Sequence, residues 1–268
     1  MKEAIYLYCL ARSGHTPAIE GTGVDGEHPL FPHRFATVTA VLSTIRLEEF
    51  CGPEAESNLR DLGWVGPRAC RHEAVVEEVM AHSPVFPIPF GTIFSSLKSL
   101  EEFLLLHHDA IVGFLDQLAG CEEWAIKGLL DTARAAKIFL DAALEQASPD
   151  HESFPPGKRY LAERRLRSRA DQDVRDWLKK VGREIADDLC RHAADFRPLP
   201  VLSREATGTE ADMVLNWALL IPQGCTGEVR ARIDRANEDC RSMGLNFHLS
   251  GPWPPYSFRP SFAAEPGK

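Results

Sequence analysis

The apolar positions of this chain change period several times, and each change predicts an element. Ala4 to Ala11 (AIYLYCLA) is a short unbroken apolar run closed by a polar stretch containing Gly14, the pattern of a buried strand. Ser13 to His33, with four Gly and three Pro, reads as a loop, and the β-branched run Phe35 to Ile45 as a second strand. A helix ends near His82, because Val75, Val76 and Val79 sit at helical spacing and Pro84 stops continuation. Pro84 to Phe94 (PVFPIPFGTIF) alternates prolines with apolar residues, so it predicts an edge strand or a buried connector. From Ser99 to Ala119 an apolar stripe of Leu100, Phe103, Leu104, His107, Ile111, Phe114, Leu115 and Leu118 predicts an amphipathic helix. Ser99 and Glu102 have the spacing of a capping box at its start, and Gly120 offers positive φ at its end.

Beyond Gly120 the pattern restarts. Glu122 to Leu130 suits a strand, Asp131 caps a helix reaching about Ala147, and Ser148 to Gly157 is a proline-rich loop. A longer helix carries Leu166, Ala170, Val174, Trp177, Val181, Ile185 and Leu189 inward, and a short connection makes the two helices an antiparallel pair. Leu199 to Ser203 and Met213 to Ile221 are strand candidates, Glu228 to Met243 is a helix closed by Gly244, and Leu245, Phe247 and Leu249 alternate as a strand with one wet face. The order strand, helical hairpin, strand, strand, helix, strand predicts a ferredoxin-like βαββαβ domain with an enlarged first crossover. The fold class is therefore α+β in two domains: an N-terminal α+β domain over 1–120, a ferredoxin-like domain over 121–262, and a disordered tail over 263–268.

Composition narrows the chemistry. The 268 residues carry 30 Lys and Arg against 39 Asp and Glu, a net charge of −9, which disfavours nucleic acid and anionic lipid membranes as partners. No apolar run reaches bilayer-spanning length and the start lacks the long apolar region of a signal peptide, so a soluble intracellular protein is expected. Seven scattered cysteines form no C-x-x-C pair, which argues for reduced thiols rather than disulfides or zinc.

No catalytic or cofactor motif emerges. Gly157-Lys158 is followed by Arg159 and lacks the earlier Gly of a phosphate-binding loop. Cys70, His72, Glu73 and Glu77, like His107, His108 and Asp109, share a helix without zinc-site spacing, and His107 is expected as a neutral ring hydrogen-bonded to a neighbour. No cofactor or metal is expected. Lys158 to Arg169 (KRYLAERRLRSR) has six basic residues against Glu163 alone, which makes Lys158, Arg159, Arg164, Arg165 and Arg167 a candidate docking face for an acidic partner, or otherwise a solvated helix face. Gly251 to Phe262 (GPWPPYSFRPSF) is extended and aromatic. Trp253, Pro254, Pro255, Tyr256 and Phe258 are expected to pack across a domain surface and bridge the two domains.

Four segments in order, YLYCLA, HSPVFPIPFGTIF, GKRYLAERRLR and LNFHLSGPWPPYSF, resemble the gas vesicle protein F/L family across nearly the whole chain. The loop from Ser13 to His33 and the tail after Phe262 carry no family mark. The resemblance implies a non-enzymatic accessory or minor structural protein of gas vesicles, located with the shell in the cytoplasm. It implies as partners the small hydrophobic major shell protein and other gas vesicle accessory proteins, with the chain assisting nucleation and preventing shell-protein aggregation. It also implies an N-terminal α+β domain followed by a ferredoxin-like one. The competing reading is an enzyme or small-molecule binder built on the ferredoxin-like domain, since that fold hosts many functions.

Overall fold

The computed structural model describes residues 2–14, 19–146 and 155–262. These divide into two compact units, Met1–Glu122 with Trp253–Lys268, and Glu123–Pro252. The C-terminal strip, placed in the second domain on sequence grounds, thus clusters with the first unit. The tail 263–268 lies outside the described residues.

The first unit is built on β1 (Glu3–Arg12), whose burial is nearly continuous rather than alternating. Such a strand needs cover on both faces. It lies inside a sheet of order β2-β3-β1-β4, where β2 is Leu30–Phe35, β3 is Val38–Arg46 and β4 is Val85–Pro87; β5 (Ile93–Phe94) also pairs with β1. Every pairing is antiparallel. After β3 come two short helices, α1 (Leu47–Phe50) and α2 (Pro53–Arg60), and then the long α3 (Leu62–Met80). Val75, Val76 and Val79 of α3 join Tyr6, Tyr8 and Val85 in one core. The next residue of β4, Phe86, points the other way and meets Phe114 of α4 (Leu97–Gln117), with ring centroids 5.0 Å apart. The two helices therefore cover opposite faces of the sheet.

Two expectations fail here for local reasons. The predicted single strand from Phe35 is a hairpin: β2 begins within the presumed loop, and the chain turns at Ala36, whose φ of 49° is unusual for a residue with a side chain. Pro32 is tolerated because β2 is an edge strand. The capping box of α4 is one turn earlier than predicted, with Ser96 as the cap. Ser99 N donates to Ser96 Oγ, and Ser96 N donates to Ser99 Oγ, at 3.2 Å each. A serine at the third helical position replaces the usual carboxamide or carboxylate, so the expected Ser-x-x-Glu spacing pointed to the wrong serine.

The second unit runs β6 (Cys121–Leu130, its first two residues in the first unit), α5 (Thr132–Glu145), α6 (Pro156–Cys190), β7 (Asp195–Pro198), the single turn α7 (Arg204–Thr207), β8 (Asp212–Pro222), α8 (Thr226–Cys240) and β9 (Leu245–Trp253, its last residue in the first unit). The sheet order is β7-β8-β6-β9. Asp131 caps α5 as expected, its side chain accepting from Arg134 N at 3.0 Å. Ile126 and Leu130 of β6, Leu219 and Ile221 of β8, and Leu245 and Phe247 of β9 meet Val174 and Leu189 of α6 and Val229 and Ile233 of α8 in a single core. The strand predicted over Leu199 to Ser203 is instead β7, four residues earlier. Leu199 N still reaches Asn216 O, but Pro200 has no N–H to extend the ladder.

Candidate functional site

In the first unit Tyr6, Tyr8 and His72 are buried and hydrogen-bonded within one network. His72 on α3 is almost fully buried, and both ring nitrogens are engaged. Nε2 lies 3.0 Å from the Ile88 carbonyl, which can only accept, so Nε2 carries the ring proton. Nδ1 therefore accepts from the Tyr6 hydroxyl at 3.0 Å, while the Tyr6 oxygen itself accepts from Gly91 N at 2.9 Å. Beside it Tyr8 contacts Ser43 Oγ at 2.8 Å, accepts from Val24 N at 2.7 Å, and stacks on the His72 ring. Burial pushes the His72 pKa down to about 4, with the Ile88 carbonyl acting weakly the other way. Burial likewise raises Tyr8 to about 12 against the opposing effects of its Ser43 and Val24 hydrogen bonds. A neutral imidazole with both nitrogens occupied is a clamp, not an available base or metal ligand.

The C-terminal strip closes this network. The Tyr256 hydroxyl is 3.2 Å from His72 Nε2 and donates to Glu73 Oε2 at 3.1 Å. Pro254, Pro255 and Phe258 are buried, whereas Trp253, expected to be covered, is 43% exposed. Phe262 stacks on His107 at 4.1 Å between centroids and on Phe86 at 5.5 Å. That contact corrects the expectation for His107. Its Nε2 is buried with no hydrogen-bond partner among the described residues, and the ring is held by Phe262 and Phe103 rather than by a polar neighbour.

The second unit carries the predicted basic face on α6. Lys158, Arg164, Arg165 and Arg167 are all exposed, and none forms an ion pair with a described residue; Arg169 is 3.8 Å from Asp173. The side chain of Arg159 lies outside the described set. Two apolar residues that the helical stripe does not use are also exposed there, Tyr160 at 65% and Leu161 at 54%. The end of α5, at Ala142, Ala143 and Gln146, lies along Leu166, Arg169 and Asp173. The preceding turns of α6 consequently run past the end of α5 as a basic arm with an apolar tip. Sequence reading found the charge but passed over Tyr160 and Leu161, whose signal was their position off the inward stripe.

Further along α6, a groove of about 630 Å³ opens between that helix and α8. Ile185, Leu189, Ala231 and Ala236 give it an apolar floor; Glu184, Asp188, Glu228 and Asp239 line it together with Arg232 and Arg235. Asp188 is bound to Arg232 Nη1 at 2.7 and 2.9 Å. Among the described residues no three His, Cys, Asp or Glu side chains gather as a metal would require, and no helix is long and apolar enough to cross a membrane.

Comparison with known proteins follows the same outline. The sequence model of a family described as gas vesicle synthesis protein GvpL/GvpF matches residues 4–260. The chain is 27% identical over 256 residues to gas vesicle protein L of Streptomyces sp. (strain CB03234), covering 94% of this chain and 91% of that protein. It is 24% identical over 268 residues to gas vesicle protein L1 of Halobacterium salinarum, covering 95% and 90%. Its fold resembles the crystal structure of gas vesicle protein GvpF from Anabaena sp. PCC7120, with a TM-score of 0.75 at 16% identity over 97% of this chain and 99% of that one. The GvpF structure from Microcystis aeruginosa aligns at a TM-score of 0.64 and 19% identity, covering 96% and 99%.

Proposed function

The chain belongs to the gas vesicle synthesis protein GvpL/GvpF family, and from that membership we propose that it is a non-enzymatic accessory protein that binds the hydrophobic major shell protein and assists its assembly into vesicles. The observation that carries this reading is the family match over residues 4–260. In this role the protein acts beside the growing shell in the cytoplasm and keeps shell subunits from aggregating. The second unit is read as ferredoxin-like, a reading supported by its βααββαβ order of major elements and by a sheet order in which the first and third strands occupy the centre.

The mechanism follows from what a very apolar subunit needs. Its exposed surface must be covered reversibly, by an apolar contact large enough to compete with self-association and a polar rim that sets orientation. The arm of α6 has both parts: Tyr160 and Leu161 supply apolar area, and Lys158, Arg164, Arg165 and Arg167 supply the charge that selects an acidic neighbour. The paired nitrogens of His72 support the non-enzymatic half of the reading. Co-expression of the tagged full chain with the major shell protein tests it. Stable recovery of the shell protein in a soluble complex is expected; a shell protein that aggregates equally with and without the chain would overturn the proposal.

A further inference from the structure

A sheet edge is a row of unpaired N–H and C=O groups ready to accept another strand, and most edges here are blunted by brevity and proline. β2 carries Pro32, β4 is three residues long and ends on Pro87, and β7 is four residues long and ends on Pro198. β9 is different. It runs nine residues at the end of its sheet, and from Leu245 to Gly251 (LNFHLSG) it contains no Pro, Lys, Arg, Asp or Glu. Apolar residues alternate there with uncharged polar ones, a composition that pairs readily with a further strand.

Backbone groups of successive residues point to opposite sides of a strand. Asp131 N, just past the end of β6, donates to Gly244 O at 2.9 Å, so Asn246 and His248 face β6 while Leu245, Phe247 and Leu249 turn their backbone groups outward. In the middle of that outward row, Phe247 N donates to Asn237 Oδ1 at 2.6 Å and Asn237 Nδ2 donates to Phe247 O at 3.0 Å. One side-chain amide on α8 thus makes with Phe247 the two bonds that a residue of a neighbouring strand would make. We infer that Asn237 is the stopper of the β9 edge, and that the edge it closes is a pairing site for β9 of a second copy. The partner follows from the strand itself. Antiparallel pairing about Phe247 is two-fold symmetric, so each copy offers the other the same edge and two four-stranded sheets join into one. No Lys, Arg, Asp or Glu between Leu245 and Gly251 opposes the approach. This edge is separate from the α6 arm, and the inference does not rest on shell-protein binding.

Amide hydrogen exchange and sedimentation velocity of the full chain, over a wide concentration series, test it. In the wild type the Phe247 amide should exchange slowly at every concentration although it lies on an edge; fast exchange there would overturn the inference without any variant. Asn237→Ala frees both Phe247 groups and places a strong helix former on α8, so circular dichroism should show it folded. Its self-association constant should exceed that of the wild type at least roughly tenfold, because pairing no longer has to break two hydrogen bonds. Its Phe247 amide should be fast when dilute and slow when concentrated. Adding Asn246→Lys and His248→Lys, both at exposed positions that oppose each other across the paired edges, should return association to the wild-type level. The inference is overturned by an Asn237→Ala protein that associates no more strongly than the wild type, by extra association that survives the two lysines, or by a Phe247 amide that stays slow in dilute Asn237→Ala.

Discussion

A histidine held between a tyrosine hydroxyl and a backbone carbonyl in a dry site is stable there only while neutral. His72 is in that position, with a folded-state pKa of about 4 against an ordinary value of 6.5. Between those values the unfolded chain binds more protons than the native one, so stability falls as pH drops through that window and is restored as it rises. The full difference is worth on the order of 3 kcal/mol. Glu73, whose carboxyl is raised chiefly by burial, acts in the opposite sense as pH rises above its ordinary range, so the variant comparison is the informative one. Urea denaturation of wild type and His72→Asn at pH 7 and pH 4.5 should show a smaller pH effect in the variant; equal slopes would remove His72 as the cause. Tyr256→Phe tests the other end of the same network. It strips Glu73 of a hydroxyl donor and should cost about 1 to 3 kcal/mol of stability by the same assay.

At the scale of elements, legibility followed how strongly local sequence decided the outcome. The long stripes of α4 and α6 and the Asp131 cap were visible because period and cap chemistry act within a few residues. The β2–β3 hairpin was hidden because its turn uses Ala36 at positive φ, where Asn or Gly would have been the readable signal. The His72 clamp was hidden for another reason: its partners Tyr6, Ile88 and Tyr256 come from three distant segments, and no spacing rule joins them. Gly128 is a second case of long-range constraint. A Cβ there would lie 3.0 Å from Leu215 Cβ on β8 and 3.3 Å from the Phe247 ring on β9, so any side chain on β6 at that point would have to push those neighbours aside. Gly128→Ala should therefore lower the melting temperature of the second unit, at a cost of about 1 to 3 kcal/mol, whereas an unchanged melting temperature would show that the strands can yield.

For the whole molecule, the two units divide the work of being stable and being available. The first ties His72, Tyr6, Tyr8 and Tyr256 into a buried hydrogen-bonded network, while the second leaves a basic arm exposed on a chain whose net charge is −9. That arm was legible as charge, because six basic residues in twelve stand out in an acidic sequence, but its apolar tip and its reach past α5 required the structure. The proposed role, holding the major shell protein, places the contact on this arm. The most direct measurement is the affinity of the full chain for the shell protein, wild type against Arg164→Glu, Arg165→Glu and Arg167→Glu combined. Capture by the wild type is expected, with binding at least roughly tenfold weaker in the folded variant and salt weakening the wild-type complex. Equal capture by both proteins would remove the arm from the contact, and no capture by either would rule out shell-protein binding altogether.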